Sequence, residues 1–365
     1  MIIKTITCHD VYNLGASLQA YAMQRYLEEE GHDVEIIDYK PDYLSGHFRL
    51  WGVYNPIFNK PIIKQLYLLA KLPGRIKTLK RKKVFDEFTQ KYLKLTKRYH
   101  SNEELKNDCP KADAYIAGSD QIWNTLFPNG KDPAFYLDFV PQGKKRISYA
   151  ASFATKEVAD DLKPFVKKML SNLDSVSIRE KSSLPLLASL GRPDGVAVCD
   201  PVFLLEKSEW EKIMSPDLEF DEDYVLIYDF ENNPIIKDIA LRLKKEKGYK
   251  IYNVGPFKMS YADKNFVNAG PLEFLSLIAN SSFVISNSFH ATAFSIIFHK
   301  NFCVVNRKEG INERMQSLLE DYNLSNSLVD DYNNHLLSDI DYSLVQQKVH
   351  QSITQSLLFI ANSLE

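Results

Sequence analysis

His290 is a candidate catalytic residue because of its place in the chain. It follows an apolar run, Phe283–Ser286, in a pattern typical of a strand that turns directly into a helix. Asn287 or Ser288 is expected to cap that helix, which puts His290 in its first turn. A histidine held there can move protons, and such general acid–base catalysis accelerates reactions about 10²–10⁴-fold. The alternative is a histidine that only packs; we predict the catalytic role.

A second polar cluster, GSDQIWN, directly follows the apolar run AYIA. Asp120, Gln121 and Asn124 can bracket neighbouring hydroxyl groups, and the indole of Trp123 can stack on the face of a sugar. Asp120 is also a second candidate for acid–base work, or else it holds an acceptor hydroxyl. The alternative is an N-capping Asp beside a buried Trp. We predict a saccharide-binding loop.

Two further positions suit an anionic ligand. Arg179 comes at the end of the apolar run SVSI, where a fixed guanidinium can bind a carboxylate or phosphate. A structural pair between Arg179 and Glu180 is the alternative. Asn13 and Gly15 open a helix, whose free N–H groups and dipole favour an anion. Plain capping by Asn13, with Gly15 packed closely, is the alternative there.

These positions fall at the ends of strands in an α/β rhythm. A strand at Ile2–Ile6, a helix at Gly15–Glu30 and a strand at Val34–Tyr39 form a βαβ opening, which favours a parallel sheet. A second α/β series starts at Tyr224, after an acidic junction at 206–223. We therefore predict two doubly wound, Rossmann-like domains that face each other across a cleft. Ligands bind such domains at the carboxyl ends of the strands.

The expected boundaries are an N-terminal, acceptor-side domain at 1–205, a C-terminal domain at 206–340 and a final helix at 341–365. An insert at about 60–100 interrupts the first domain, and from Lys71 to Arg98 it holds eleven Lys or Arg against two acids. A basic helical hairpin is expected. Its basic side is either a solvated face or a contact for an anionic ligand or membrane surface.

Composition excludes several classes of protein. The 365 residues carry 45 Lys plus Arg and 47 Asp plus Glu, so the net charge of −2 gives no general attraction to nucleic acid. Four scattered cysteines form no CxxC pair, and no metal-ligand spacing is present. The sequence shows no signal peptide and no apolar run of about 18 residues. A cytoplasmic protein without a resident metal or cofactor is expected.

Taken together, the motifs resemble the polysaccharide pyruvyl transferases, in the order that the family has them. The motifs are N-x-G-A-x-L-Q at 13–19, GSDQIWN at 118–124, SYAAS at 148–152, SIRE at 177–180, DPVFLL at 200–205, SFHATAFS at 288–295 and Arg314. The resemblance implies a GT-B-like fold and transfer of pyruvate from phosphoenolpyruvate onto two hydroxyls of a saccharide. The product is a cyclic pyruvate ketal in a surface polysaccharide.

The resemblance also assigns roles to residues. The family's donor-binding Arg corresponds to Arg179 and its active-site His to His290. Many members carry an Arg where this chain has Ser288, and Arg314 or Arg307 could supply that cation instead. The predicted catalytic residues are His290 and Asp120, and the predicted substrate-binding residues are Arg179, Asn13, Gly15, Gln121, Trp123, Asn124, Ser288 and Arg314.

Two other functions remain open from the sequence. A GT-B glycosyltransferase would use a nucleotide sugar and a late carboxylate, Glu309 or Glu313. A non-catalytic member of a polysaccharide assembly complex would fit Ser288 in place of the family's Arg. If the protein is a pyruvyl transferase, the expected partners are phosphoenolpyruvate and a saccharide acceptor on a lipid carrier. The basic segment 60–98 would then hold the protein at the inner surface of the membrane.

Overall fold

Two parallel β-sheets organise the structure, a computed structural model that describes residues 1–44, 58, 60–308, 312–331 and 339–365. The strands of the first sheet are β1 (Ile2–Ile6), β2 (Asp33–Tyr39), β3 (Leu95–Tyr99), β4 (Ala114–Ala117), β5 (Lys145–Ala151), β6 (Ser175–Ile178) and β7 (Val196–Ala197). Those of the second are β8 (Tyr224–Tyr228), β9 (Lys250–Val254), β10 (Lys264–Phe266), β11 (Phe283–Ser286) and β12 (Phe302–Val304).

The strand orders are β3-β2-β1-β4-β5-β6-β7 and β10-β9-β8-β11-β12. Each is doubly wound, and the order reverses between β1 and β4 in one sheet and between β8 and β11 in the other. Every residue of β4, β8 and β11 is buried, as expected for parallel strands covered on both faces. The predicted α/β architecture of two Rossmann-like domains is confirmed.

Helices connect the strands and cover both sheets. They are α1 (Leu14–Glu29), α2 (Pro61–Tyr92), α3 (Asn102–Asn107), α4 (Lys163–Leu170), α5 (Leu184–Ser189), α6 (Lys207–Lys212), α7 (Pro234–Lys247), α8 (Pro271–Ala279), α9 (Phe289–Ile297), α10 (Glu313–Asp321) and α11 (Tyr342–Leu364). The helix α1 packs on α8 and α9, so the two domains meet along it. None of these helices is long and apolar enough to span a membrane.

The predicted helical hairpin of the insert is wrong. The structure has one helix, α2, of 32 residues, and its C-terminal part joins the core through Phe85 and Phe88. The ring of Phe85 lies 6.0 Å from that of Tyr12, and the ring of Phe88 lies 6.3 Å from that of Tyr21. The end of the predicted insert is β3, the edge strand of the first sheet. Its polar sequence, LTKRY, is typical of an exposed edge.

The final helix, α11, contacts both domains. Near its start, the hydroxyl of Tyr342 donates to the carbonyl oxygen of Lys300 at 2.6 Å, next to β12. Fourteen residues later, the hydroxyl oxygen of Ser356 accepts from the backbone N–H of Cys199 at 2.9 Å, next to β7. The helix therefore crosses from the second domain back to the first.

Candidate active site

The site begins where the first turns of α1 and α9 face each other. The side chain of Asn13 accepts from the backbone N–H groups of Gly15 (3.0 Å) and Ala16 (3.2 Å), which starts α1. Ser288 is the N-cap of α9 and accepts from Ala291 N–H at 3.5 Å. Each helix leaves a strand that borders the reversal point of its own sheet. Since the two sheets face each other there, His290 of the second domain lies against Gly15 of the first.

Asp200 is the centre of the site and is buried. Its Oδ2 atom accepts from Nη1 of Arg179 at 2.7 Å and from the hydroxyl of Ser119 at 3.1 Å. Nε2 of His290 lies 3.6 Å from the same oxygen. Burial raises the pKa of Asp200, but the charges of His290 and Arg179 outweigh burial and hold the pKa well below its ordinary value. One ionised carboxylate therefore binds Arg179 and lies next to His290, whose Nε2 has no hydrogen-bond partner among the described residues.

Arg179 is buried among three carboxylates and one ring. Besides Asp200, it contacts Glu180 (Nε to Oε1, 3.3 Å) and Asp120 (Nη2 to Oδ1, 3.8 Å). Its guanidinium carbon lies 4.1 Å from the ring centre of Phe289. Burial lowers the pKa of Arg179, but the carboxylates outweigh burial and raise it above its ordinary value. Nη2 has no hydrogen-bond partner among the described residues, so this nitrogen is available to a ligand.

A second guanidinium, that of Arg314, faces the same small cavity as Arg179. The cavity measures about 30 Å³, room for little more than a water molecule. Burial and the charge of Arg179 lower the pKa of Arg314 to about 10. Arg307, the other cation considered from the sequence, does not line this cavity: it is 3.7 Å from Glu231 and over the ring of Phe230, and its charge contributes to the lowered pKa of Arg314. Arg314 is therefore the second cation of this site.

The predicted sugar platform at Trp123 is wrong. The indole has no exposed surface, stacks on Tyr136 at 5.5 Å between ring centres and donates its N–H to the carbonyl oxygen of Phe135 at 3.1 Å. Asn124 is also buried, and its amide donates to Oε1 of Gln121 at 2.9 Å. These three side chains hold the loop together.

Within the same loop, Asp120 has a different place. It has a positive φ of 67°, and its backbone N–H and carbonyl groups lie beside the end of β5. This local conformation brings the carboxylate toward Arg179. The structure thus gathers His290, Asp120, Arg179 and Arg314, with Gly15 as the contact surface for the histidine.

Asn13 borders a different and larger cavity between the domains, of about 1170 Å³. The helix α2 forms one wall with basic residues that include Lys71 and Arg75, and the second domain contributes aromatic residues, Phe230 and Phe257. A cavity with aromatic and cationic walls has the size and chemistry to take a saccharide. Asn13 therefore caps α1 and also faces this cavity.

Four residues of the site, Asp200, Glu180, Ser119 and Phe289, lie within the sequence motifs but were not predicted to bind or catalyse. A signal existed for Asp200, which directly follows the short apolar segment VAVC at the end of β7. Within the described part of the chain, no group of three His, Cys, Asp or Glu side chains could hold a metal ion. The site combines an imidazole with two guanidinium groups, side chains that can move protons and bind anions.

The two facing doubly wound domains define a GT-B-like fold, and solved structures share it. The TM-score is 0.50 with a putative UDP-N-acetylglucosamine 2-epimerase from Listeria monocytogenes (11% identity, covering 97% of this chain and 91% of that one). It is also 0.50 with the MnaA–UDP co-structure from S. aureus (11% identity, 98% and 87%). Another UDP-N-acetylglucosamine 2-epimerase scores 0.51 (12% identity, 99% and 96%). At such low identity, the likeness concerns the fold alone.

The sequence identifies the family. Residues 13–309 match the family described as polysaccharide pyruvyl transferase, which covers most of the chain. The protein therefore belongs to the polysaccharide pyruvyl transferase family and is a transferase. No curated protein matches the sequence.

Proposed function

We propose that this protein transfers pyruvate from phosphoenolpyruvate to two hydroxyls of a saccharide and forms a cyclic ketal. The observation that supports the proposal most directly is the pair of buried guanidinium groups, Arg179 and Arg314, at one cavity beside His290. Burial and the repulsion between these two charges lower the pKa of Arg314, while Asp120 and Glu180 offset part of the repulsion. An anion between them would relieve that repulsion, and phosphoenolpyruvate carries both a carboxylate and a phosphate.

The reaction needs proton transfers that His290 can carry out. The methylene carbon of the donor gains a proton, and the first sugar oxygen bonds to the central carbon. The carbon–oxygen bond to phosphate then breaks, and the second hydroxyl closes the ring. Of the two hydroxyl protons, one balances the proton that the methylene carbon gained and the other leaves with phosphate. His290 would deliver and accept these protons, while Asp120 would hold an acceptor hydroxyl.

The cavity of about 30 Å³ is too small for the donor, so binding requires the domains to move apart. The acceptor would enter through the larger cavity at Asn13, which offers aromatic and cationic walls. In this arrangement the donor lies near Arg179 and Arg314. We place the saccharide, on a lipid carrier, in the larger cavity.

The family supports this function over the two alternatives. For a nucleotide-sugar transferase, Glu313 is already paired with Lys156 at 3.1 Å, and Glu309 lies outside the described residues. For a non-catalytic role, the argument was Ser288 in place of an Arg. Ser288 instead caps α9, and Arg314 brings a cation to the site from α10.

The test is thermal unfolding with and without phosphoenolpyruvate. A ligand at 100 times its dissociation constant stabilises the folded state by about 2.7 kcal/mol, so the wild type should show a clear rise in Tm. Arg179→Ala should lose that rise, whereas Arg242→Ala, a change on the exposed face of α7, should keep it. Circular dichroism would establish that each variant is folded.

Two results of this experiment would contradict the proposal. If phosphoenolpyruvate does not change the Tm of the wild type but a nucleotide sugar raises it, the proposed donor is overturned. A rise that persists in folded Arg179→Ala would show that the donor binds somewhere else.

A further inference from the structure

One face of α2 carries exposed aliphatic side chains at helical spacing. We name it the aliphatic stripe, and it consists of Ile62, Leu66, Leu69 and Ile76. Their exposed fractions are 75%, 63%, 66% and 53%, values that exceed those of most apolar residues in this protein. Steps of four, three and seven residues place all four side chains on one side of the helix.

The opposite side of α2 already has a function in the fold. Tyr67, Lys71 and Arg75 line the cavity of about 1170 Å³ between the domains. Arg81, six residues later, is buried and donates to the carbonyl oxygen of Val267 in the second domain at 3.2 Å. The inner side of the helix therefore contacts the protein. Of the aliphatic stripe, Ile62, Leu66 and Leu69 point away from the cavity, whereas Ile76 also lines it, as does Lys80.

The sequence around the stripe is basic as far as residue 85; Asp86 and Glu87 follow, and Glu87 lies 3.5 Å from Lys83. From residue 61 to residue 85 the sequence has no acidic residue and eight Lys or Arg. Lys80 lies at the helical angle of Ile62, and Lys83 lies one turn further along the same side; both are exposed. A helix with an aliphatic face and flanking lysines has the chemistry of a segment that lies in a membrane interface.

We propose that α2 docks this protein onto an anionic membrane surface through the aliphatic stripe. Aliphatic side chains enter the boundary between headgroups and acyl chains, while Lys80 and Lys83 contact anionic headgroups. A second copy of this chain is a poorer occupant of the stripe, because two such faces would bring the same positive charges together.

Docking would have a consequence for the larger cavity. Since α2 forms its wall, the cavity would lie at the lipid surface, within reach of an acceptor carried there. The inference does not rest on the donor, because it depends only on the outer side of one helix. The test of membrane docking can therefore fail without affecting the proposed reaction, and the test of the reaction can fail without affecting membrane docking.

The experiment is co-sedimentation of the full chain with lipid vesicles, without substrate. Vesicles of phosphatidylcholine with about 30% phosphatidylglycerol should bind the wild type roughly tenfold more tightly than phosphatidylcholine alone. The double variant Leu66→Gln/Leu69→Gln should bind the anionic vesicles roughly tenfold less tightly. The matched control is Leu344→Gln/Leu358→Gln on α11, whose leucines are 58% and 59% exposed; its binding should equal that of the wild type.

Three results would overturn the inference. They are equal binding to neutral and anionic vesicles, unchanged binding of the stripe variant, and a wild-type dimer that the stripe variant converts to a monomer. The last, read by analytical ultracentrifugation, would assign the stripe to self-association. All four substituted leucines are exposed, so the variants should keep the thermal stability of the wild type.

Discussion

The imidazole ring of His290 lies directly against the α-carbon of Gly15. A Cβ atom at position 15 would come within 2.1 Å of both Cγ and Nδ1 of the histidine, closer than real Cβ atoms approach. Both residues lie in the first turn of a helix, one in the N-terminal domain and the other in the C-terminal domain. Glycine is needed here because of this close approach between domains.

Gly15→Ala should therefore displace His290 and lower the transfer rate without unfolding the protein. If His290 moves protons, the rate should fall by about 10²–10⁴-fold, similar to the effect of His290→Ala. Overpacking should also lower the free energy of unfolding by about 1–3 kcal/mol. The control for the stability effect is Gly74→Ala in α2, where a Cβ meets nothing within 4 Å. A Gly15→Ala enzyme with wild-type turnover would contradict the assigned role of His290.

Asp200→Asn should change how stability depends on pH. The folded-state pKa of Asp200 lies below its unfolded value of about 3.9, so its contribution to stability is present above that pH. The contribution disappears as the pH falls toward the folded-state pKa. Urea unfolding from pH 7 down to pH 2 should show a flatter acid decline in the variant.

At neutral pH the same variant should lose about 3–5 kcal/mol of unfolding free energy, because Arg179 stays buried without its nearest carboxylate. The control is Asp194→Asn, which breaks a pair with Arg192 near the surface and should cost about 1 kcal/mol or less. Parallel acid declines in the wild type and Asp200→Asn would show that Asp200 does not carry this pH dependence.

Arg314→Gln should weaken the binding of phosphoenolpyruvate by about 10- to 100-fold, the cost of losing a hydrogen bond to a charged group. Arg307→Gln should have little effect, because that side chain lies beside Glu231 and Phe230. Since the pKa of Arg314 is about 10, wild-type affinity should decline as the pH rises through 10. Calorimetric titration would measure both effects, and equal losses in the two variants would refute the assignment.

Strand-and-helix periodicity predicted most of the fold because buried parallel strands are continuous apolar runs. The first helix, predicted at Gly15–Glu30, spans Leu14–Glu29. The edge strands β3 and β10 escaped prediction, since LTKRY and KNF are polar and short. Within α2, basic and apolar residues alternate too irregularly to distinguish one long helix from two short ones.

The positions at the ends of strands predicted three site residues, Arg179, His290 and Asp120. The structure brings these three residues together. The same logic failed for Trp123, because its polar neighbours hydrogen-bond to each other and leave the indole in the core. Asp200 opens the DPVFLL motif, but that motif does not indicate which side chains its carboxylate contacts. Its role depends on contacts with residues 21 and 90 positions away, which no local pattern records.

The path of α11 has a consequence for how the protein folds during synthesis. The first domain obtains a hydrogen-bond partner for Cys199 only when Ser356 arrives, more than 150 residues later. At a synthesis rate of about 5–20 residues per second, roughly 8–30 s separate the synthesis of Cys199 from that of Ser356. The edge of the first sheet lacks its contact with α11 during this time. During that interval the apolar surface beside β7 is uncovered, so the nascent chain is a candidate client for a ribosome-associated chaperone.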